Sequence, residues 1–301
     1  GDALMSSDLV DLITHAPDPR DKRTRLTGTA KFWLAFRYVS LFFILALIIL
    51  PIYVLVINSF KGRTGVTLAN AFNLPQELNF ETWPMVWKQL SAPMLRTLFF
   101  VVQSSIISAI IGSINGYVLA KWRFPGSKLV FTLFLFGMFI PYQAIMIPLV
   151  QFNKAVGLTG SIYVLVLAHV VYGIPICTLI FRNYYASIPD ELIEAARVDG
   201  ASMTRVYRSI LLPLSVPAFV VVLIWQFTSA WNDFLFAIFL TGGSPKLAVA
   251  TTALNFITGS WQVYYGENMT AALMVSLPTL LVYMFLGRYF LRGLLSGSLK
   301  G

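Results

Sequence analysis

Residues 38–60 read YVSLFFILALIILPIYVLVINSF, a stretch of 23 residues without one charged side chain. A helix needs about 20 apolar residues to cross the roughly 30 Å of hydrocarbon in a bilayer. The whole chain has this character, because 57% of its 301 residues are hydrophobic and only 12% are charged, whereas a soluble domain carries about 25% charged residues. This composition excludes a soluble enzyme, a disordered protein and a disulfide scaffold. It predicts an all-α, polytopic membrane protein.

Five further uncharged runs are long enough to cross a membrane, which predicts six transmembrane helices in all. They are Thr97–Ala120, Leu129–Asn153, Ser161–Phe181, Ser209–Asn232 (with an extension to Leu240 left open) and Asn268–Gly287. The first run is longer than the apolar core of a cleavable signal peptide, so we expect it to be retained as a helix.

A seventh uncharged run, Leu247–Gly266, is excluded by its polar side chains. Each of these groups costs free energy in hydrocarbon unless it finds a hydrogen-bonding partner. The polar residues are Thr251, Thr252, Asn255, Thr258, Ser260 and Gln262. We therefore expect residues 241–267 to form a partly helical loop on the outer side of the membrane.

The basic residues predict the orientation of the six helices, because lysine and arginine gather on the cytoplasmic side. Six spans with a cytoplasmic amino end place 16 of the 22 basic residues inside and six outside, whereas seven spans would put Arg288, Arg292 and Lys300 outside. The prediction is a cytoplasmic tail over residues 1–30, a six-span domain over residues 31–301, and two cytoplasmic termini. This asymmetry also accounts for the net charge of +9, and we expect no nucleic-acid partner.

The chain lacks the motifs of common catalytic and nucleotide-binding sites. It contains no G-x-x-x-x-G-K-[ST], G-x-S-x-G, H-E-x-x-H or C-x-x-C sequence, and such motifs supply phosphate-binding loops, nucleophiles and metal ligands. Cys177 and His169 lie in apolar runs, where we expect them to serve packing. Asp233 is the only acid near a span, whereas a proton-coupled transporter usually carries several buried carboxylates. We expect no catalytic residue, no metal site, no cofactor bound by this chain and no energy source of its own.

Segment 187–213, SIPDELIEAARVDGASMTRVYRSILLP, carries the most specific pattern in the chain. Ser187 and Asp190 predict the start of a helix, Gly200 can adopt the left-handed conformation that ends it, and a second short helix is expected over Ser202–Ser209. The small alanines of the first helix would let it seat deeply in the groove of a partner. An amphipathic helix at the membrane interface would give a similar pattern.

The spacing of Glu194-Ala195-Ala196, Gly200 and Ile210-x-Leu212-Pro213 resembles the signature loop of permease subunits of ATP-binding-cassette (ABC) importers. Further motifs resemble the carbohydrate branch of that family, in particular the six-span partner of the maltose-type permease pair. These motifs are Arg123-Phe-Pro-Gly126, Leu212-Pro-Leu-Ser-Val-Pro217, Trp231-Asn-Asp-Phe234 and the carboxyl end Gly293–Gly301. The resemblance covers about residues 30–301.

The resemblance implies a heteromeric importer in a bacterial plasma (inner) membrane, with this chain moving a carbohydrate or related solute inward by alternating access. The implied partners are a second permease subunit, two ATPase subunits that bind ATP and Mg, and an extracytoplasmic solute-binding protein. This chain would be no enzyme itself, and its coupling loop, residues 187–209, would contact the ATPases. The residues implied in that contact are Glu194, Ala195, Ala196, Asp199, Gly200 and Arg205.

Two groups of residues are candidates for the solute path or for contact with the binding protein. Trp231, Asn232 and Asp233 end the fifth run. The other group, Trp261, Tyr264 and Tyr265, lies in the outer loop. This second group would either anchor a lid on the bundle or, as resemblance to the maltose-type importer implies, form a tip that enters the binding protein.

Two other function classes and several solutes stay open at this point. An ion-coupled secondary transporter is disfavoured by the shortage of buried charge. A non-transporting membrane receptor or scaffold differs from an importer in that a sugar-loaded binding protein would not stimulate ATP hydrolysis by co-purified subunits. The solute could be a monosaccharide, an oligosaccharide, an acidic polysaccharide fragment or glycerol phosphate.

Overall fold

The computed structural model describes residues 28–122, 124–259 and 263–298, and the regular structure in these ranges is helical apart from one isolated β-bridge, between Lys61 and Asn79. The chain divides into two compact units, residues 1–53 and 54–301. Most of the predicted cytoplasmic tail, residues 1–27, lies outside the described residues, and so does Trp261.

The described part of the first unit belongs to helix α1 (Gly28–Ser59). The stretch Phe32–Ser59 is long and apolar enough to cross a membrane, and it starts before the predicted run at Tyr38. The sequence criterion placed the start later because it required an uncharged run, and Arg37 interrupts it. A membrane-spanning helix can carry a charged residue near its end, because a long basic side chain can reach the membrane interface.

The second unit contains three more helices of spanning length and several shorter ones. The long helices are α2 (Thr82–Lys121), α5 (Tyr163–Ala186) and α11 (Tyr265–Ser298). The shorter ones are α3 (Ser127–Phe139), α4 (Tyr142–Ala155), α6 (Glu191–Val198), α7 (Met203–Leu214), α8 (Val216–Trp231), α9 (Leu235–Leu240) and α10 (Ala250–Thr258). The first turn of α4 is a 3₁₀ helix, and α7 contains a π-helical turn at Tyr207–Leu211.

The third and fifth predicted runs each form a sharply bent pair of helices. α3 and α4 meet at 86°, and α7 and α8 meet at 75°. Proline has no N–H and disfavours helical backbone in the residue before it, and Ile140, before Pro141, is extended with φ −69° and ψ 117°. Leu129–Asn153 and Ser209–Asn232 are therefore not single helices. With each bent pair counted as one span the described residues hold six spans, which confirms the all-α, six-span prediction.

Helix α2 is much longer than the predicted run Thr97–Ala120. Its 40 residues start at Thr82, which gives a length of about 60 Å at 1.5 Å per residue. The added part packs on protein, because Val86 and Leu90 are fully buried in the main apolar core. Lys88 and Arg96 broke the uncharged run in the sequence, so a criterion designed for lipid-facing helices missed this part.

Helices α2 and α5 pack through a G-x-x-x-G pattern at Gly112 and Gly116. Small residues in this pattern let two helix backbones approach closely. A Cβ on Gly116 would lie 2.6 Å from the Cβ of Phe181 and 2.8 Å from the backbone nitrogen of Arg182. The two glycines therefore set the distance between α2 and α5, and with it the position of the functional residues on α5.

The predicted outer loop is partly helical, as expected. Its helix α10 packs on the bundle, because Val249, Ala250 and Ala253 belong to the main apolar core. The backbone N–H of Ala250 donates to Thr97 Oγ1 of α2 at 2.7 Å. This part of the loop is thus a lid fixed to the bundle.

Candidate functional site

A cavity of about 440 Å³ lies between α4, α5, α8 and α9. Small-molecule sites usually measure about 300–1,000 Å³, so one small polar molecule would fit. Aromatic rings, polar groups, two aliphatic side chains and one acid are among the groups in its wall. The described lining residues are Tyr142, His169, Tyr172, Gly173, Ile176, Trp225, Gln226, Ser229, Asn232, Asp233, Phe234, Leu235 and Phe236.

Asp233 forms the charged end of the cavity. Its carboxylate accepts hydrogen bonds from the backbone N–H groups of Phe236 (3.3 Å) and Ala237 (3.1 Å) in the first turn of α9. Asp233 Oδ2 also lies 3.6 Å from His169 Nε2, and the two side chains are only 9% and 7% exposed. These two backbone hydrogen bonds hold the Asp233 side chain at the start of α9. His169 Nε2 is buried and has no hydrogen-bond partner in the described structure.

Gln226 and Gly173 shape the neighbouring wall. Gln226 Nε2 donates to the backbone carbonyl of His169 at 2.9 Å, which joins α8 to α5. Gly173 makes room for this amide, because a Cβ there would lie 2.7 Å from Gln226 Cδ. The bond occupies one Gln226 donor and leaves the amide at the cavity wall.

Aromatic rings make the other side of the cavity. The ring centroid of Phe236 lies 5.0 Å from that of Tyr142 and 5.2 Å from that of Tyr172. The His169 ring stacks on the Phe100 ring with centroids 5.4 Å apart, and this contact holds the ring in place. Flat apolar faces beside hydrogen-bonding groups suit a molecule that has both C–H faces and hydroxyl edges.

The structure separates the predicted group Trp231, Asn232 and Asp233. Asn232 and Asp233 line the cavity. Trp231 instead is 2% exposed, stacks on Phe227 and donates from Nε1 to the backbone carbonyl of Val275 at 3.0 Å. Trp231 thus joins α8 to α11 and is not part of the described lining.

Sequence reasoning missed most residues of the cavity. A signal was present in the fifth run, because Gln226, Ser229 and Asp233 follow one another at i, i+3 and i+7, the spacing of one helix face. A polar stripe on an otherwise apolar membrane helix indicates a water-filled or ligand-filled space. Tyr142, His169 and Tyr172 carried no such pattern, and only the folding of α4 and α5 against α8 brings them there.

The coupling loop forms two helices around a glycine turn, as predicted. Gly200 has a φ of +77° and connects α6 to α7. On α6, Ile193 is buried and Ala196 packs against the second apolar core, whereas the rest of the helix faces outward. The exposed residues from Glu191 to Gly200 are Glu191, Leu192, Glu194, Ala195, Arg197, Val198, Asp199 and Gly200, and Arg205 is among the exposed residues of α7. Leu192 and Val198 are large apolar residues in this set, and Val198 is 87% exposed.

The ends of the two helices differ in detail from the prediction. Ser187 does not cap α6, because its hydroxyl donates to the backbone carbonyl of Tyr184. The Asp190 carboxylate accepts instead from Lys121 Nζ at 2.6 Å. The second helix was expected to end at Ser209, but α7 continues to Leu214 before the 75° bend.

The two described aromatic residues of the loop group lie apart from the cavity. The Arg63 guanidinium stands over the Tyr264 ring at 3.9 Å, and Arg63 Nε pairs with Glu267 at 3.0 Å. Tyr265 is half exposed at the start of α11. Tyr264 is therefore held at the base of the loop by a cation–π contact with Arg63. Glu267 is 8% exposed in the first turn of α11, so the expectation that Asp233 is the only acid near a span is wrong.

Sequence comparisons identify relatives over most of the chain. The chain is 34% identical over 282 residues to the xylose/arabinose import permease protein of Haloferax volcanii, covering 86% of this chain and 91% of the relative. It is 30% identical over 273 residues to the glucose import system permease protein of Saccharolobus solfataricus, covering 88% and 95%.

The fold is similar to that of a chain in the crystal structure of a bacterial ABC transporter involved in the import of the acidic polysaccharide alginate. The TM-score is 0.74 at 22% identity, over 88% of this chain and 98% of that chain. Residues 108–295, which include the coupling loop and the cavity residues, match the family described as binding-protein-dependent transport system inner membrane component. The chain belongs to that family and is a membrane permease subunit of a binding-protein-dependent transport system.

Proposed function

We propose that this chain is one of two permease subunits of a carbohydrate importer in a bacterial inner membrane. Two partner ATPase subunits hydrolyse ATP with Mg, and an extracytoplasmic binding protein delivers the solute. The observation that carries the proposal is the exposed face of α6, where Leu192, Ala195 and Val198 stand free of their own chain. An apolar face of this kind outside the membrane marks a protein contact, and the xylose/arabinose and glucose permeases among the relatives support a sugar as the solute.

The cavity between α4, α5, α8 and α9 forms this chain's part of the solute path. Tyr142, Tyr172 and Trp225 offer aromatic faces, and Asn232, Gln226 and Ser229 offer hydrogen-bonding groups. Among the described lining residues Asp233 is the only acid, and none is a lysine or arginine. A buried carboxylate repels an anionic solute. The cavity therefore favours a neutral sugar over a uronic acid or a sugar phosphate.

A panel of matched neutral and acidic sugars tests this solute class. The complex in proteoliposomes, with its own binding protein, is incubated with glucose, galactose or xylose and, in parallel, with glucuronate or galacturonate. We expect ATP hydrolysis to rise with a neutral sugar and to stay at its basal rate with the acids. Stronger stimulation by a uronate would contradict the neutral-sugar proposal.

Asp233→Asn isolates the contribution of this chain. Asparagine keeps the size and one acceptor oxygen for the backbone at the start of α9, replaces the second acceptor by an NH2 group, and removes the negative charge. We expect glucuronate binding to the detergent-purified complex, measured without binding protein, to strengthen by about tenfold, or about 1.4 kcal/mol. Glucose binding should change little. A parallel loss of both would instead assign Asp233 a purely structural role.

Both termini are cytoplasmic in this proposal, and the loop 241–267 is on the opposite side. The distribution of basic residues supports it, since this arrangement puts 16 of the 22 on the inner side, where lysine and arginine gather. In whole cells, an impermeant maleimide should label a Ser260→Cys variant directly. A Lys128→Cys control, at the exposed start of α3, should react only after the cells are opened. The reverse pattern would refute this orientation.

A further inference from the structure

We propose that Lys121 is a positioning residue that makes α2 the mechanical link between the coupling loop and the lid formed by α10. This inference rests on the proposed function, because it assumes that ATPase subunits move the coupling loop. Coupling between distant sites requires an element that both sites contact and that can shift between two arrangements. In the part of the chain that the structure describes, α2 contacts the coupling loop at its carboxyl end and the lid nearer its amino end.

At its carboxyl end, α2 holds the start of α6. Lys121 Nζ donates to the backbone carbonyl of Ile188 and to Asp190 Oδ1, both at 2.6 Å. The Lys121 side chain is only 4% exposed, so the surrounding protein fixes its position, whereas the Asp190 side chain is 68% exposed. The guanidinium of Arg197, in the last turn of α6, lies 4.8 Å from the ring centroid of Trp122. Both ends of α6 are thus attached to the end of α2.

One and two turns earlier, α2 also contacts α7. Tyr117 stacks on Tyr207 with ring centroids 5.5 Å apart, and its hydroxyl donates to the backbone carbonyl of Met203 at 3.2 Å. Ser113 Oγ lies 2.6 Å from the Tyr185 hydroxyl and 2.9 Å from that of Tyr207. Hydrogen bonds of a buried network reinforce one another. The whole coupling loop is therefore attached to α2 through side chains of both its helices.

Toward its amino end, α2 contacts the lid and the start of α11. Arg96 Nη1 donates to the backbone carbonyl of Ala248, and Thr97 Oγ1 accepts from the backbone N–H of Ala250. Thr82 Oγ1 and Thr270 Oγ1 are 2.8 Å apart in the buried core. Between Thr97 and Lys121 the helix has no break. A rigid-body shift of the coupling loop would therefore move the Ala248–Ala250 segment.

The test uses a reporter cysteine on the lid and does not depend on knowing the solute. Asn255→Cys places an exposed thiol on α10, while the natural Cys177 is buried. The labelling rate with an impermeant maleimide is measured on the whole complex in proteoliposomes, before and after trapping with ATP and vanadate. We expect trapping to change the rate in the parent, and Lys121→Met to abolish that change while nucleotide is still trapped.

Three further variants make the result specific to Lys121. Lys121→Arg, which keeps a donor and the charge, should restore the response. Lys128→Met removes the same charge from an exposed position on α3 and should leave the response intact. If Lys121→Met fails to assemble, Asp190→Ala takes its place, since this change removes an acceptor of Lys121 Nζ at an exposed position and should also abolish the response.

The outcomes separate this inference from the proposed function. A normal response in Lys121→Met or in Asp190→Ala would overturn the role of Lys121 and leave the importer proposal standing. A parent that traps nucleotide without any change at Asn255→Cys would overturn the link through α2. A parent complex that traps no nucleotide would overturn the proposed function, and the inference with it.

Discussion

Adding one methyl group at both Gly112 and Gly116 is expected to separate α2 from α5 and to destabilise the chain strongly. The new Cβ atoms would meet backbone atoms of α5, with 2.9 Å to the carbonyl carbon of Cys177 and 2.8 Å to the nitrogen of Arg182. Overpacking of this kind costs about 1–3 kcal/mol at each site. This loss exceeds the gain of up to about 1 kcal/mol that alanine brings to a helix over glycine.

The matched control is Gly137→Ala in α3, where a Cβ would have no atom within 4 Å. We expect the control to keep the parent's yield and melting temperature in mild detergent, whereas Gly112→Ala/Gly116→Ala loses most monodisperse protein and melts at a lower temperature. Equal behaviour of the two variants would show that the G-x-x-x-G contact does not determine the helix packing.

Ala195→Asp is expected to abolish ATP-driven transport without unfolding the membrane helices. Ala195 lies on the exposed face of α6, away from the apolar cores of its own chain, so the isolated chain tolerates the charge. In a dry contact with an ATPase subunit the unpaired carboxylate would cost several kcal/mol. We expect the variant to reach the membrane with normal yield and to lose either the bound ATPases on purification or the link between hydrolysis and uptake.

Ala69→Asp is the control for this substitution, because Ala69 is equally exposed in the segment between α1 and α2. It should leave ATPase binding and uptake at parent levels. Gly200→Leu should reproduce the Ala195→Asp defect by another route, since a side chain at φ +77° costs about 1–2 kcal/mol. If Ala195→Asp and Gly200→Leu both keep the uptake of the parent, the coupling loop does not link ATP hydrolysis to transport.

The helices that cross the lipid could be predicted from the sequence. Uncharged runs located α1, α5 and α11 well, because crossing hydrocarbon imposes a simple rule on composition. The first part of α2 was not predicted, because it contains Lys88 and Arg96 and does not form an uncharged run. Charged residues are tolerated there because this part packs on protein. Arg96 even contributes a bond to the backbone of the lid.

The positions of the bends could not be deduced from proline alone. Pro141 stands at the break between α3 and α4, yet Pro93 and Pro175 lie inside continuous helices. A proline removes one hydrogen bond wherever it occurs. Whether the helix then breaks depends on how neighbouring helices hold its two halves, which is tertiary information.

The candidate sites also differ in how far they could be predicted, because one is local in sequence and the other depends on tertiary packing. The coupling loop is local in sequence, so Gly200, Glu194 and Ala195 were recognisable from their spacing, whereas the inward position of Ala196 required the packing of α6. The cavity collects residues from four helices, so only its α8 stripe was visible beforehand. Trp231 carried the same aromatic character as Trp225, and its burial against α11 could not be inferred from the chain alone.

Uptake of the sugar selected in the panel, measured in proteoliposomes supplied with ATP and the binding protein, distinguishes an ATP-driven importer from an ion-coupled transporter. We expect uptake to require ATP on the side of the coupling loop, to stop with vanadate and with Ala195→Asp, and to continue when ionophores remove all ion gradients. Uptake that persists with vanadate and collapses with ionophores would contradict the account and identify an ion-coupled transporter instead.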